Sequence, residues 1–306
     1  MCLLGQRVRY DGGHKHDRYL TETLGKFFEW VPVCPEVEVG MGTPREPIRL
    51  VQVGQEIRLM GVHSERDHTV AMRSYAKHRV EELVGEGLSG YILKKDSPSC
   101  GLLQVRVHHG RGQATRSGRG LFAAALSKRL PNLPIEEEGR LCDQRLRENW
   151  IERVFAYHRL QSLWAARWRR GDLVDFHTAH ELTLLAHSPN AHRHLGRLVD
   201  GANSLPRPEL RERYEGGFMA ALTRLATPGR HSNVLSHTVS YFRDKLDDAS
   251  RRELLDSIED YRRGLVPLVV PITLVGHHAR RFDVAYLTRQ VYLNPRPKER
   301  ALLDHD

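Results

Sequence analysis

Gly90-Tyr91-Ile92-Leu93-Lys94-Lys95-Asp96-Ser97-Pro98-Ser99-Cys100-Gly101 sets a short apolar run directly ahead of a serine–proline turn that carries a cysteine. The run reads as a buried strand, and Ser97–Gly101 as the turn that follows it, since serine and proline suit turn positions. Upstream, residues 67–86 place Val70, Met72, Tyr75, Ala76, Val80, Leu83 and Val84 on an approximate stripe. That is the mark of an amphipathic helix, with Thr69 as its cap. Ile48–Val51 and Gln55–Leu59 read as short strands, and 119–130 as a further helix. Trp30-Val31-Pro32-Val33 reads as a strand that runs into a loop at Cys34. Strands alternating with helices predict α/β layers with a largely parallel sheet, in which ligands gather beyond the carboxyl ends of strands. Cys34 and Cys100 each follow such a strand, as a shared site requires.

Farther out the pattern changes. Pro131–Gly139, with Glu136-Glu137-Glu138, reads as a solvated linker that closes a first domain over 1–140. From Leu141 to Arg169 the spacing is helical, with Leu146, Trp150, Val154, Tyr157 and Leu160 on one face. Further helices are expected over 172–187, 190–200, 208–226, 231–247, 249–263 and 267–279. Short connections between amphipathic segments predict an all-α second domain, 141–306. Asn294-Pro295-Arg296-Pro297 is expected to be an extended tail.

The chain has 306 residues, of which 40% are hydrophobic and 28% charged, the balance of a soluble globular protein. No run approaches the roughly 18 apolar residues that span a bilayer. No basic segment followed by an apolar run opens the chain, so a cytoplasmic location is expected. The net charge of +9 favours polyanionic partners, nucleic acid among them. The basic residues are spread along the chain and define no single patch.

Four cysteines are present: Cys2, Cys34, Cys100 and Cys142. Disulfides are not expected in a reducing compartment. Three thiolates that converge from distant turns can hold an iron–sulfur cluster with one iron left free. Buried structural thiols are the plainer reading, and a three-cysteine zinc site is another, although the usual CxxC spacing is absent. His177-x-x-His180 shares one helical face without a familiar histidine–carboxylate motif, and reads as core or surface histidine. His277, His278, Arg280 and Arg281 offer a phosphate-binding face. Cys142 has no partner motif.

The stretches CLLGQRVRYDGGHK, PVCPE, TPREP at Thr43–Pro47, GYILKKDSPSCG and GLFAAAL together resemble the desulfidase family that removes sulfur from thiouracil and thiouridine. FHTAHELTLLAHSP, NVLSH, YRRGLVPLVVPITLV and YLNPRP resemble the YbgA-type helical domain often appended to it. The fused arrangement is similar to enzymes that act on 4-thiouridine in tRNA. The resemblance implies a [4Fe-4S] cluster with three cysteine ligands, Cys2, Cys34 and Cys100, and one open iron. It implies that Glu36 and Ser97 assist catalysis, with thiolated tRNA as the partner. Glu36 suits a general base that activates water. Ser97 suits a proton relay or a hydrogen bond to the base ring, and Ser99 is the alternative serine. Arg9, Lys15, Arg45 and Lys94 are candidates to meet ribose or phosphate, and Asp11 to shape the substrate-side turn. The family carries a short strand ahead of its first cysteine. Here Cys2 follows Met1 directly: either the true start lies upstream, or the sheet lacks that strand and Cys2 is expected to fray. A basic helix around Arg159–Arg170 is expected to help bind tRNA. Glu181 stands where the helical domain usually has lysine. Two rivals remain: the same chemistry on free thiobases, and a cluster-bearing nucleic-acid-binding redox sensor without turnover.

Overall fold

In the computed structural model, residues 1–295, 299, 301 and 302 are described, apart from the Arg111 side chain. Arg296 and Pro297 of the expected tail lie outside the described residues. The chain divides into two compact units, Met1–Trp150 and the remainder from Ile151. The first is α/β and the second helical, as the sequence leads one to expect.

The first unit contains a short helix α1 (Pro35–Glu38), strands β1 (Ile48–Val53) and β2 (Glu56–Gly61), and helix α2 (Thr69–Gly85). Strands β3 (Tyr91–Leu93), β4 (Val105–His108) and β5 (Ala114–Gly118), helix α3 (Leu121–Arg129) and strand β6 (Ile135–Glu137) follow. One sheet has the order β2-β1-β4-β5, and β3 pairs with β6 in a second. The pairing is mixed rather than largely parallel. β1 with β2 and β4 with β5 are antiparallel, whereas β1 with β4 and β3 with β6 are parallel. Connection length is the reason. Gly54-Gln55 alone links β1 to β2, with Gly54 at φ 59, and a two-residue turn forces a hairpin. Parallel neighbours arise only across longer connections that include helices.

Met72, Ala76, Val80 and Leu83 on α2 are buried, at the spacing of one helical face. Ala76, Val80 and Leu83 pack with Phe122, Ala123 and Leu126 of α3 and with Leu93 of β3, and Cys100 borders this cluster. Met72 joins Leu50, Leu59, Val105 and Val107 on the larger sheet. The cap of α2 is not Thr69. Asp67 Oδ1 accepts from the Thr69 N–H at 2.8 Å, while Thr69 Oγ1 accepts from the Leu59 N–H at 2.8 Å.

Two local expectations are corrected. Trp30–Val33 is not a strand: Pro32 has no N–H to give, and the Val33 carbonyl instead accepts from the Met1 amine at 3.1 Å. The acidic run is not a solvated linker. Glu136 and Glu137 lie in β6 and are buried, at 6% and 2% exposure. Glu136 pairs with Arg140 at 2.7 Å. Glu138 pairs with Lys94.

Helix α4 (Gln144–Ala165) crosses from one unit to the other along the chain. Then come α5 (Arg170–Ala179), α6 (Glu181–His187), α7 (Pro189–Asp200), α8 (Arg207–Leu222), α9 (Pro228–Val239), α10 (Asp248–Arg262), α11 (Val269–Arg281) and α12 (Ala285–Thr288). Leu182, Ala186, Leu235, Phe242, Val275 and Leu287 lie in one core cluster of this unit. The single helix expected over 172–187 is broken at His180 into α5 and α6. The basic helix expected around Arg159–Arg170 ends at Ala165, and its end residues are engaged internally. Arg159 pairs with Glu299 at 2.7 Å, and Arg170 donates to the Ala202 and Leu205 carbonyls at 2.8 and 3.0 Å. No helix among the described residues is long and apolar enough to cross a membrane.

Candidate active site

Each of the three motif cysteines is held by its own local device. Cys2 opens a single 3-10 turn, Cys2–Leu4, that ends at Gly5 with φ 87. Its carbonyl accepts from the Lys15 and Gly5 amides at 3.1 and 3.2 Å, and Leu3 behind it is buried. Together with the Met1–Val33 bond, these contacts hold the Cys2 segment against the rest of the unit. Cys34 caps α1, with Pro35 in the first turn, where a missing N–H costs nothing. Its own N–H donates to Glu38 Oε1 at 2.8 Å. Glu38 is fixed in turn by the Tyr75 hydroxyl at 2.6 Å and by Arg79 at 3.3 Å.

Cys100 sits in a turn closed by Ser97. The Ser97 Oγ accepts from the Ser99 and Cys100 amides at 3.3 and 3.1 Å, the local bonding that makes serine a turn residue. The Ser99 carbonyl accepts from the Phe122 and Ala123 amides at 3.0 and 3.2 Å, so the opening turn of α3 supports the cysteine loop. Gly120 allows that approach. A Cβ built on it would stand 2.3 Å from the Ser99 carbonyl oxygen.

Glu36 joins these pieces. The Cys34 thiol donates to its Oε2 at 3.5 Å. Its Oε1 accepts from Ser97 at 3.3 Å and, more closely, from Ser99. Ser99 is fully buried, and its Oγ also lies 3.5 Å from Cys100 Sγ. The two serine hydroxyls are 3.0 Å apart. A carboxylate with two hydroxyls therefore links the surroundings of Cys34 and Cys100.

Electrostatics tie Cys2 to the same place. Burial pushes the Cys34 thiol up to about 11, and the Glu36 carboxylate adds to this. Burial raises Cys100 well above the ordinary thiol range, and the negative charges of Glu36, Cys34 and Cys2 raise it further. Burial also raises Cys2, the N-terminal amine opposes this, Glu36 adds to it, and Lys94 and Arg9 oppose it. Cys100, whose ionisation the charges at Glu36, Cys34 and Cys2 oppose, is a thiol that a nearby cationic group would relieve. Among the described residues, one group of three His, Cys, Asp or Glu ligand atoms lies within 4.8 Å of one another, and it is not this one. Three cysteine thiolates are a donor set that suits a thiolate-held group such as an iron–sulfur cluster.

The candidate substrate residues are distributed around this centre. Arg9 lies against Asp11 at 3.4 Å and over the Tyr10 ring at 5.3 Å. Asp11 Oδ1 accepts from the Gly13 amide at 3.0 Å, which lowers its carboxyl and shapes the turn. The Lys15 side chain is exposed. Arg45 is used within the protein: it donates to the Val8 and Gly42 carbonyls at 3.0 and 2.9 Å. Lys94 pairs with Glu138 and donates to the Lys95 carbonyl at 3.1 Å. Cys142 is exposed.

The model of the 2-thiouracil desulfurase family matches residues 1–138, the part that carries all three motif cysteines. A second family, described as a protein of unknown function (DUF1722), matches residues 181–297. The uncharacterized protein YbgA of Escherichia coli (strain K12) is 33% identical over 156 residues, which is 51% of this chain and 92% of that protein. The chain joins a 2-thiouracil desulfurase domain over residues 1–138 to a YbgA-type domain. The uncharacterized protein YbbK of Bacillus subtilis (strain 168) is 29% identical over 140 residues, 42% of this chain and 86% of that protein. A solved structure of a [4Fe-4S]-dependent thiouracil desulfidase is 32% identical, covering 46% of this chain and 89% of that one, with a TM-score of 0.38. The two family matches agree with the resemblance read from the motifs.

Three supports of this desulfurase-family site are not evident from the motifs. Glu38, one turn beyond Cys34, holds that cysteine's amide. Glu137 Oε1 accepts from the Leu102 and Leu103 amides at 2.8 and 3.2 Å, and so anchors the chain just past Cys100. Gly120 admits the Ser99 backbone. Glu38 carries a local signal, a carboxylate in the first turn of a helix that begins at a cysteine. The other two depend on contacts between residues far apart in sequence.

Proposed function

We propose that this chain removes the 4-thio group from 4-thiouridine in tRNA, using a [4Fe-4S] cluster held by Cys2, Cys34 and Cys100. The observation that carries the reading is Glu36, whose two carboxylate oxygens reach Cys34 and the Ser97–Ser99 pair beside Cys100. When bound, the cluster would supply an iron without a protein ligand, a Lewis acid with affinity for soft sulfur. Glu36 acts as general base and takes a proton from the water that adds at C4 of the base. The new C–O bond replaces the C–S bond, sulfur leaves as hydrosulfide, and no electron is transferred. Ser99, donating to Oε1, and Ser97, which closes the turn, hold the carboxylate in one orientation.

Residues 1–140 then form the catalytic domain, and 141–306 help to grip RNA. A base that reacts must leave its stack, and a second domain on the backbone would position it. The net charge of +9 supports a polyanionic substrate. The family description favours a second reading, the same chemistry on a free thiouracil-type base.

Turnover of 4-thiouridine tRNA and of free 4-thiouracil, each at about 50 and 200 mM salt, separates the two. Faster turnover of tRNA, falling steeply with salt, supports RNA. Comparable turnover that is flat in salt supports the free base. Tight RNA binding with no sulfide from either substrate would support the sensor instead.

A further inference from the structure

The helical unit brings together three ligand-type side chains that its sequence keeps apart. His177 lies in the last turn of α5, Glu181 opens α6, and His192 lies in the first turn of α7. One ligand atom from each lies within 4.8 Å of the others. The break at His180 creates the arrangement, because it turns Glu181 onto a new helix beside α7. His180 does not take part. Its Nδ1 meets the Phe176 carbonyl at 2.7 Å, and its Nε2 accepts from Arg159 at 3.2 Å.

Two of the three groups are already oriented by a second residue. His177 Nδ1 lies 3.1 Å from the buried Tyr214 hydroxyl. Its Nε2 faces α7, where a Cβ built on Gly196 would lie 3.8 Å away. Glu181 Oε2 accepts from the Tyr286 hydroxyl at 2.7 Å, which leaves Oε1. The His177 and His192 rings stack with centroids 5.8 Å apart. Metal-ligating histidines commonly have their second ring nitrogen fixed in this manner.

We infer that the helical unit binds one divalent transition-metal ion of the zinc class through His177, Glu181 and His192. Two imidazoles and one carboxylate suit zinc, whereas calcium and magnesium favour all-oxygen sets. Three protein ligands leave a fourth position for water or an incoming group. His177 is buried, and the other two are part-exposed, so the ion would be reached from the side of His192 and Glu181. The inference rests on the helical unit alone and is independent of the cysteine site.

The test uses the full chain with its cluster reconstituted anaerobically, equilibrated with zinc chloride. Elemental analysis is expected to find one zinc per chain beyond the iron, and zinc X-ray absorption to show nitrogen and oxygen neighbours without sulfur. Affinity is read by competition with a chromophoric chelator. Glu181→Gln and His192→Gln are expected to weaken binding at least tenfold, and Tyr286→Phe about 10–100-fold, the usual effect of removing an orienting partner. Circular dichroism confirms that these variants fold, and unchanged iron content confirms that the cysteine site is intact. Absence of the additional zinc, sulfur scattering at the zinc edge, or parent affinity in Glu181→Gln and His192→Gln would overturn the inference.

Discussion

Gly120→Ala tests how tightly the Cys100 loop is built onto α3. Gly120 has φ −60 and ψ 143, a conformation open to any residue, so alanine meets no backbone penalty there and its whole effect is steric. Its Cβ would stand 2.3 Å from the Ser99 carbonyl oxygen, 2.4 Å from the Ser99 carbonyl carbon and 2.8 Å from the Cys100 nitrogen. Ordinary contact begins at 3.4 Å, so backbone must move by about 1 Å. The Ser99 carbonyl cannot yield alone, since the Phe122 and Ala123 amides hold it, and Gly120 itself donates to the Gly101 carbonyl at 2.8 Å. Overpacking of this kind costs about 1–3 kcal/mol. A 1 Å displacement of a reacting group costs on the order of 10²-fold in rate. Urea unfolding of the cluster-free chain, iron retained after reconstitution, and turnover are the three readouts. Gly85→Ala is the control: it has no neighbour within 4 Å and is expected to be neutral or to gain about 0.4–1 kcal/mol. If Gly120→Ala unfolds at the parent's midpoint and keeps the parent's iron and turnover, the reasoning about this loop is wrong.

Glu36→Gln keeps the shape but loses the base, so turnover is expected to fall about 10²–10⁴-fold with iron content unchanged; parent-like sulfide release would remove Glu36 from the mechanism. Glu137→Ala strands two amide donors beside a side chain only 2% exposed, for a loss of about 1–3 kcal/mol in chemical denaturation; an unchanged midpoint would show that the anchor is dispensable. Without the cluster, the folded chain keeps its thiol protons to higher pH than the unfolded chain. Stability should then fall as pH rises from about 8.5 towards the value of about 11 for Cys34. The sign follows because the unfolded state binds fewer protons in that window, and Cys34 alone accounts for on the order of 3 kcal/mol. Cys34→Ala should flatten the slope; a slope equal to the parent's would contradict it.

Much of the fold is local and therefore legible. The stripe through Met72, Ala76, Val80 and Leu83 marks α2, and the apolar run ahead of Ser97 marks β3, because periodicity and turn chemistry act over a few residues. What escapes the sequence depends on partners far along the chain. Glu137 reads as solvated until Leu102 and Leu103, 35 and 34 residues away, present their amides to it. Trp30–Val33 has strand-like composition, but no neighbouring strand takes up its backbone. The mixed sheet follows from connection lengths, and the two-residue Gly54-Gln55 turn was there to be read. At the site, the cysteines and Glu36 follow from their motifs. The division of labour between the serines does not: Ser97 organises the turn, while Ser99, fully buried, makes the closer bond to Glu36. His177 and His180 share a face by spacing, yet a helix break sends His180 elsewhere and brings in Glu181 and His192.

The central claim, that three distant cysteines hold one catalytic cluster, is tested most directly by sulfide release after anaerobic reconstitution. The parent chain and the Cys2→Ala, Cys34→Ala and Cys100→Ala variants are each given a 4-thiolated substrate, with iron per chain measured alongside. Sulfide and four irons from the parent, with loss of both in every variant, is the expected result. Undiminished sulfide from any one variant, or a full complement of iron in the parent with no sulfide released, would contradict the account.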